Sequence, residues 1–257
     1  MMPPAAGRQD RIDALRGLAM LWMTAFHFCF DLDHFGYIRQ NFYDNPVWTW
    51  QRTGIVSLFL LCAGIGQTLA VQQGQGWPRF WRRWARVAGC ALLVSVGSWL
   101  MFRGRWISFG VLHGMALMLI VVRWLLVRGW LRGAVPWVAS AALVLITPWL
   151  GEALRDWAPP AVRAACDSRW LNWLGIVSAK PPTEDYVPLL PWLGVMLWGV
   201  GAAQALAAWR WAQRPLTGVT GRALAALGRW SLSYYMLHQP VLIGLLRAVG
   251  ALRSLAG

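Results

Sequence analysis

In the stretch DALRGLAMLWMTAFHFCFDLDHF, residues 13–35, His27 and Asp31 stand four residues apart among apolar side chains. Four residues is one helical turn, so the carboxylate is in reach to orient the imidazole and raise its basicity, which is how a general base is prepared. A histidine satisfied within a helical core is the other account of His27. The stretch also carries Asp13, Arg16, Thr24, Asp33 and His34. At about 100° per residue, Asp13, Arg16, Thr24, His27, Asp31 and His34 fall within about 60° of one direction. Only Asp33 departs strongly, and the other faces are Leu, Ala, Trp, Met, Phe and Cys. Hydrocarbon rejects ionisable groups at a few kcal/mol each, so such a stripe should face a bundle interior or an aqueous cavity and marks a candidate site. Two water interfaces would explain Asp13 and Arg16 at one end and Asp33 and His34 at the other. They leave His27 and Asp31 unexplained. Arg16 precedes His27 by about 16 Å of helix, a span that suits a long ligand with an anionic head and a reactive end.

Three further groups carry chemistry. His113, in FGVLHG, lies between Gly110 and Gly114, which permit close approach of a neighbouring backbone or a ligand. It is either a second polar group of the same cavity or a core histidine bonded to another helix. DYVPLLPW places Asp185 and Tyr186 before an apolar run; Asp185 either hydrogen-bonds a ligand's hydroxyl or amine, or serves as an acid at a helix N-terminus. SYYMLHQP brings Tyr234, His238 and Gln239 next to Pro240, which removes the helical donor of the Met236 carbonyl. His238 and Gln239 therefore either act directly on a ligand or satisfy that break.

The elements that hold these residues must be membrane helices. Of 257 residues, 58% are hydrophobic and only 13% are charged, with mean hydropathy +0.44; the charged share is about half that of soluble domains. Seven apolar runs are expected to span a membrane, at about 14–35, 51–71, 85–102, 107–127, 133–150, 187–208 and 223–249, each near the roughly 20 residues that hydrocarbon requires. Pro240 is expected to kink the last or end it early. The fold class is an all-α membrane protein, a polytopic helical bundle forming one domain over residues 1–257. Arg8, Arg11, Arg16, Arg79, Arg82, Arg83, Arg86, Arg123, Arg128, Arg132, Arg210, Arg214, Arg222 and Arg229 all fall on one side of this topology, more than half of the 24 basic residues. That excess puts the N-terminus in the cytoplasm. The net charge of +14 does not signal nucleic acid, because the arginines sit in short clusters between apolar runs.

The long connection at 151–186, on the outer side, contains Trp157, Trp170 and Trp173 with four prolines. It is either a lid over an outward-facing cavity or a solvated loop anchored by interfacial tryptophans. The four cysteines are scattered, so neither a disulfide nor a metal site is expected. The N-terminal run lacks a small-residue cleavage site and reads as a retained helix.

RIDALRGLAMLWMTAFHF resembles the opening helix of polytopic membrane acyltransferases, with ten residues between Arg16 and His27. HFCFDLDHFG, ISFGVLHGMALML, DYVPLLPWLGVMLWGVG and LGRWSLSYYMLHQPVL are similar to the bacterial branch of the heparan-alpha-glucosaminide N-acetyltransferase catalytic-domain family, the likeness running over about 8–245. The resemblance implies transfer of an acetyl group from cytoplasmic acetyl-CoA, across the bacterial inner membrane, to an amino-sugar or envelope glycan outside. In the lysosomal relatives an asparagine stands where His27 does, and a later histidine is thought to receive the acetyl group; His34 is the nearest later histidine here. On this expectation His27, Asp31, His113 and His34 are catalytic, with His113 facing the developing oxyanion. Arg16, Arg82 and Arg83 meet the CoA phosphates, and Asp185, Tyr186, His238 and Gln239 meet the acceptor. Topology and anionic-lipid binding account equally for the arginines of RFWRRWAR. No metal is expected, lipid is the surrounding partner, and there is room for a homodimer. The rival expectation is a proton-coupled transporter with His27 and Asp31 as its relay, although no inverted repeat stands out.

Overall fold

A computed structural model describes residues 10–101, 103–183, 185–205 and 216–256. Among them are nine α-helices and no strand: α1 (Asp10–His34), α2 (Pro46–Gln72), α3 (Trp77–Met101), α4 (Val111–Val127), α5 (Val135–Trp157), α6 (Pro160–Asp167), α7 (Trp192–Gln204), α8 (Val219–Arg229) and α9 (Ser231–Ala256), with a 3-10 turn at Asn172–Leu174. An all-helical chain is what lipid demands, because each backbone donor and acceptor must be satisfied within its own segment. Leu92, Leu93, Val96 and Leu100 of α3, and Val138, Leu145 and Ile146 of α5, are nonetheless exposed. A polypeptide that turns such faces outward is solvated by hydrocarbon, and the chain is a transmembrane protein.

Helix ends follow local chemistry. The Asn45 side chain accepts from the Val47 amide at 2.9 Å, and Pro46 follows it as first residue of α2, a start signal read directly from sequence. At the other end Gly74 takes φ +70°, and the Gln75 amide bonds the Ala70 carbonyl while Gly74 bonds Val71. This left-handed closure fixes the short α2–α3 turn.

The chain divides into two compact units. The first holds α1, the start of α2, α8 and α9; the second runs from Leu60 to Arg210. In the first, α1 packs mainly on α8 and then on α9. Their backbones meet at glycine: a Cβ at Gly17 would overlap the Leu224 carbonyl, and one at Gly228 the Asp13 carbonyl. Ala19, Met20, Met23 and Phe26 bury the inner face of α1, and Phe26 meets Phe42 and Trp48 edge-on at 5.7 and 5.9 Å. In the second unit α7 packs on α5, and α4 on α3 and α7, around Met118, Val122, Met196 and Val200. Gly64 and Gly199 bring α2 and α7 together, where side chains would strike the carbonyls of Met196 and Leu61. Small residues at such crossings are the usual way membrane helices gain packing.

Several expected boundaries move. Four helices, α2, α3, α5 and α9, are long and apolar enough to cross a membrane. α1 has 25 residues but carries the charges of its stripe, and α4 and α7 are shorter, at 17 and 13 residues. The fourth run begins at Val111 instead of 107 and the fifth continues to Trp157. The last is two helices broken at Trp230, and α9 passes through Pro240 without ending. Arg8, Arg210 and Arg214 of the arginine set, and residues 206–208 of the expected sixth run, lie outside the described residues.

The 151–186 connection is folded. α6 occupies its middle, the Asp167 carboxylate accepts from the Ser178 amide and hydroxyl, and the amides of Leu189 and Leu190 bond the carbonyls of Trp173 and Leu174. Trp157 and Trp170 are each 86% exposed, as anchors at a membrane interface should be.

Candidate active site

The first unit assembles its polar groups where α1 faces α9. His27 Nδ1 lies 2.7 Å from His238 Nε2, the rings 5.0 Å apart and nearly parallel at 15°. His238 Nδ1 lies 2.7 Å from the carbonyl oxygen of Tyr235. A carbonyl only accepts, so His238 carries its proton on Nδ1, and its bare Nε2 accepts from His27 Nδ1–H. The lone pair of His27 is thereby placed on Nε2. Two bonds in series, the second ending on a fixed backbone carbonyl, choose the tautomers of both rings and leave the lone pair of His27 Nε2 unused by either.

The surroundings reinforce that order. Tyr234 stacks on His238 at 6.0 Å and 6°, while its hydroxyl lies 2.8 Å from Thr24 Oγ1. Thr24 spends its own hydrogen on the Met20 carbonyl at 2.8 Å, so Tyr234 is the donor of that pair. Phe26 closes on the His27 ring at 5.7 Å.

Asp31 does not hold His27. Its Oδ1 accepts from Gln239 Nε2 at 2.7 Å, while Asp31 Oδ2 and Gln239 Oε1 are both buried without a hydrogen-bond partner. Asp31 is 3% exposed, so α1 and α9 together enclose a carboxylate oxygen and an amide oxygen that each require a donor. The expected sequence of Asp31 behind His27 is replaced by His238 behind His27, with Asp31 and Gln239 as a separate acceptor pair about one turn further along. His34 ends α1, exposed, its ring edge-on to Phe35 at 5.3 Å. Arg16 is tied to Asp13 at 3.0 Å on its own helix, with its side chain 28% exposed.

The second unit places the remaining candidates. His113 Nδ1 accepts from the Gly110 amide at 3.2 Å. Its Nε2 lies 3.0 Å from Ser95 Oγ, and Ser95 donates its one hydrogen to the Ile107 carbonyl at 2.6 Å, so Nε2–H is the donor to serine. Both ring nitrogens are engaged in closing the turn that starts α4, and neither is left for an oxyanion. Asp185 accepts from the Val111 amide at 2.8 Å, capping α4 from 74 residues away. A Cβ at Gly110 would collide with that carboxylate, and one at Gly114 with the Val187 carbonyl; the neighbour these glycines admit is the 185–187 segment. Tyr186 donates to the Asn172 carbonyl at 2.6 Å. Burial, and then the Asp167 carboxylate, push its phenol well above the usual range. Arg82 and Arg83 are exposed on α3.

Sequence reasoning assigned His238 to the acceptor and missed it as the partner of His27. It also passed over Ser95, whose only signal is that of a hydroxyl inside an apolar run. No curated protein and no solved structure matches the chain. The family model for heparan-alpha-glucosaminide N-acetyltransferase, catalytic, matches residues 8–240. That match takes in both halves of the histidine pair, on α1 and on α9, and the chain belongs to this family of membrane acetyltransferases.

Proposed function

We propose that the protein moves an acetyl group from cytoplasmic acetyl-CoA to an amino-sugar of the bacterial cell envelope, with His27 Nε2 as general base. The observation that carries this is the tautomer-locked pair: His27 gives its Nδ1–H to His238 at 2.7 Å and keeps a lone pair on Nε2. An acceptor bound as an ammonium first loses one proton to water, and the resulting amine, or a hydroxyl in its place, gives its proton to Nε2 as it attacks the thioester carbon. The C–S bond then breaks, and the thiolate takes the proton back. Developing imidazolium is stabilised because Nδ1–H already points at a bare nitrogen. A nucleophilic route, with Nε2 taking the acetyl group first, would use the same lone pair.

Arg16, about 16 Å along α1 from His27, is the candidate for the anionic end of the donor. Arg82 and Arg83, exposed on α3, are the other cationic candidates. Asp31 Oδ2 and Gln239 Oε1, buried acceptors without donors, suit the acceptor's ammonium or hydroxyl. Asp185 and Tyr186 act by holding the segment that closes α4.

A proton-coupled transporter is the less favoured reading. A relay has to hand its proton on, whereas the chain from His27 ends at the Tyr235 carbonyl, which has no proton to exchange. Purified protein, incubated with radiolabelled acetyl-CoA and an amino-sugar, should transfer label, and His27→Ala should abolish the transfer. Undiminished transfer by His27→Ala would refute the mechanism.

A further inference from the structure

We propose that Arg123 anchors a phosphate-binding site at the α2–α3 turn. α4 carries Arg123 one turn before its C-terminal end and buries it to 2% exposure, among the most enclosed large side chains in the chain. Its Nη2 donates to the Gln75 carbonyl, in the turn closed by Gly74. The guanidinium lies 5.5 Å from the ring centres of both Trp77 and Phe80. Nε and Nη1 are buried with no acceptor among the described residues, and no carboxylate there pairs with the guanidinium.

A buried cation is tolerated only when it is paired and hydrogen-bonded. The two ring faces offer attraction for the charge but no oxygen for the N–H groups, and the single carbonyl leaves two nitrogens wanting. The same turn starts α3, whose first residue is Trp77, so the positive end of that helix lies beside the guanidinium. Exposed Arg79, Arg82 and Arg83 add positive charge on α3. An anion with several acceptor oxygens answers all of these features, and phosphate is the chemistry that helix N-termini and arginines together recognise. The phosphate comes either from the nucleotide end of the acyl donor, an arm that rests on the proposed function, or from an anionic phospholipid headgroup.

Two probes separate the sources: coenzyme A, titrated calorimetrically into full-length protein in detergent, and phosphatidylglycerol retained by the protein from mixed phosphatidylglycerol–phosphatidylcholine nanodiscs, counted by native mass spectrometry. Arg123→Gln should weaken coenzyme A binding about tenfold or more, or strip retained phosphatidylglycerol to the background level, while Arg123→Lys, which keeps the charge but loses the guanidinium fork, should cost severalfold in either. If Arg123→Gln does not fold, Arg123→Lys carries the test, and a severalfold loss for either probe supports the site. Folded variants that bind both probes like wild type overturn it. Wild-type protein that takes up no coenzyme A, but loses phosphatidylglycerol on substitution, refutes the acetyl-CoA reading and upholds this one. Wild-type protein whose coenzyme A and phosphatidylglycerol binding both survive substitution refutes this one alone.

Discussion

His238→Phe, set beside Asp31→Asn, separates the two possible partners of the base. Phenylalanine keeps the ring that stacks on Tyr234 and on His27, but it removes the acceptor of His27 Nδ1–H and the donor to the Tyr235 carbonyl. In the transition state His27 becomes an imidazolium, and the bond it loses is charge-assisted, worth about 1.5–3 kcal/mol. That corresponds to a fall in kcat of roughly 10- to 150-fold. Asparagine at 31 keeps an oxygen for Gln239 Nε2, now bonded at 2.7 Å, and deletes only the charge. The kcat should then change by less than about threefold, while KM for an amine acceptor rises by about tenfold or more, because a buried ammonium has lost its counter-charge. KM for a hydroxyl acceptor should rise much less. The assay is steady-state transfer of labelled acetyl at saturating donor, with thermal unfolding to confirm that both variants fold. If Asp31→Asn lowers kcat a hundredfold while His238→Phe leaves it intact, the assignment of His238 as the orienting partner is wrong.

Asp185→Ala should lower thermal stability by about 0.5–2 kcal/mol, the usual worth of a helix cap, and leave acceptor KM within about twofold; a tenfold rise in KM at unchanged stability would make Asp185 a substrate-binding residue instead. Tyr186→Phe removes the bond to the Asn172 carbonyl and should cost about 1 kcal/mol near neutral pH. The Tyr186 phenol is raised in the folded chain by burial and by Asp167, so the unfolded chain ionises first. Stability should therefore hold below about pH 10 and fall as pH rises beyond it. The phenylalanine variant should show a shallower alkaline decline, and identical slopes in pH-resolved unfolding would contradict the assignment.

The stripe on α1 was legible because its information is local. Six polar residues repeat at helical spacing in a segment whose other faces are apolar, and any helix through those residues must line them up. His238 lies 211 residues from His27 in sequence, and which face of α9 meets α1 depends on the break at Trp230. Nothing at Trp230 resembles a breaker, whereas Pro240 does. The helix passes Pro240 all the same, because membrane helices tolerate proline when neighbouring groups satisfy the freed carbonyl. Asp185 shows the same asymmetry. Its sequence neighbours suggest a cap for the run that follows, yet it caps α4, whose first amide is 74 residues upstream. Gly110 and Gly114 announced a close approach without naming who approaches.

A neutral partner for the base also fits the medium. An imidazole with a carboxylate behind it becomes, on protonation, an ion pair that must be solvated, and in an apolar bundle each ion of such a pair costs several kcal/mol before attraction offsets it. His238 accepts the Nδ1–H while uncharged and is fixed by a backbone carbonyl that cannot itself ionise. On the proposed mechanism the His27–His238 pair therefore carries one positive charge, and only during turnover. On the same reading Asp31 serves a different task. With Oδ1 satisfied by Gln239 and Oδ2 buried without a donor, it is poised to receive a cationic or hydroxylic acceptor close to the base without being consumed in orienting it. On the proposed mechanism the two polar pairs divide binding and proton transfer between them, and α1 supplies one member of each.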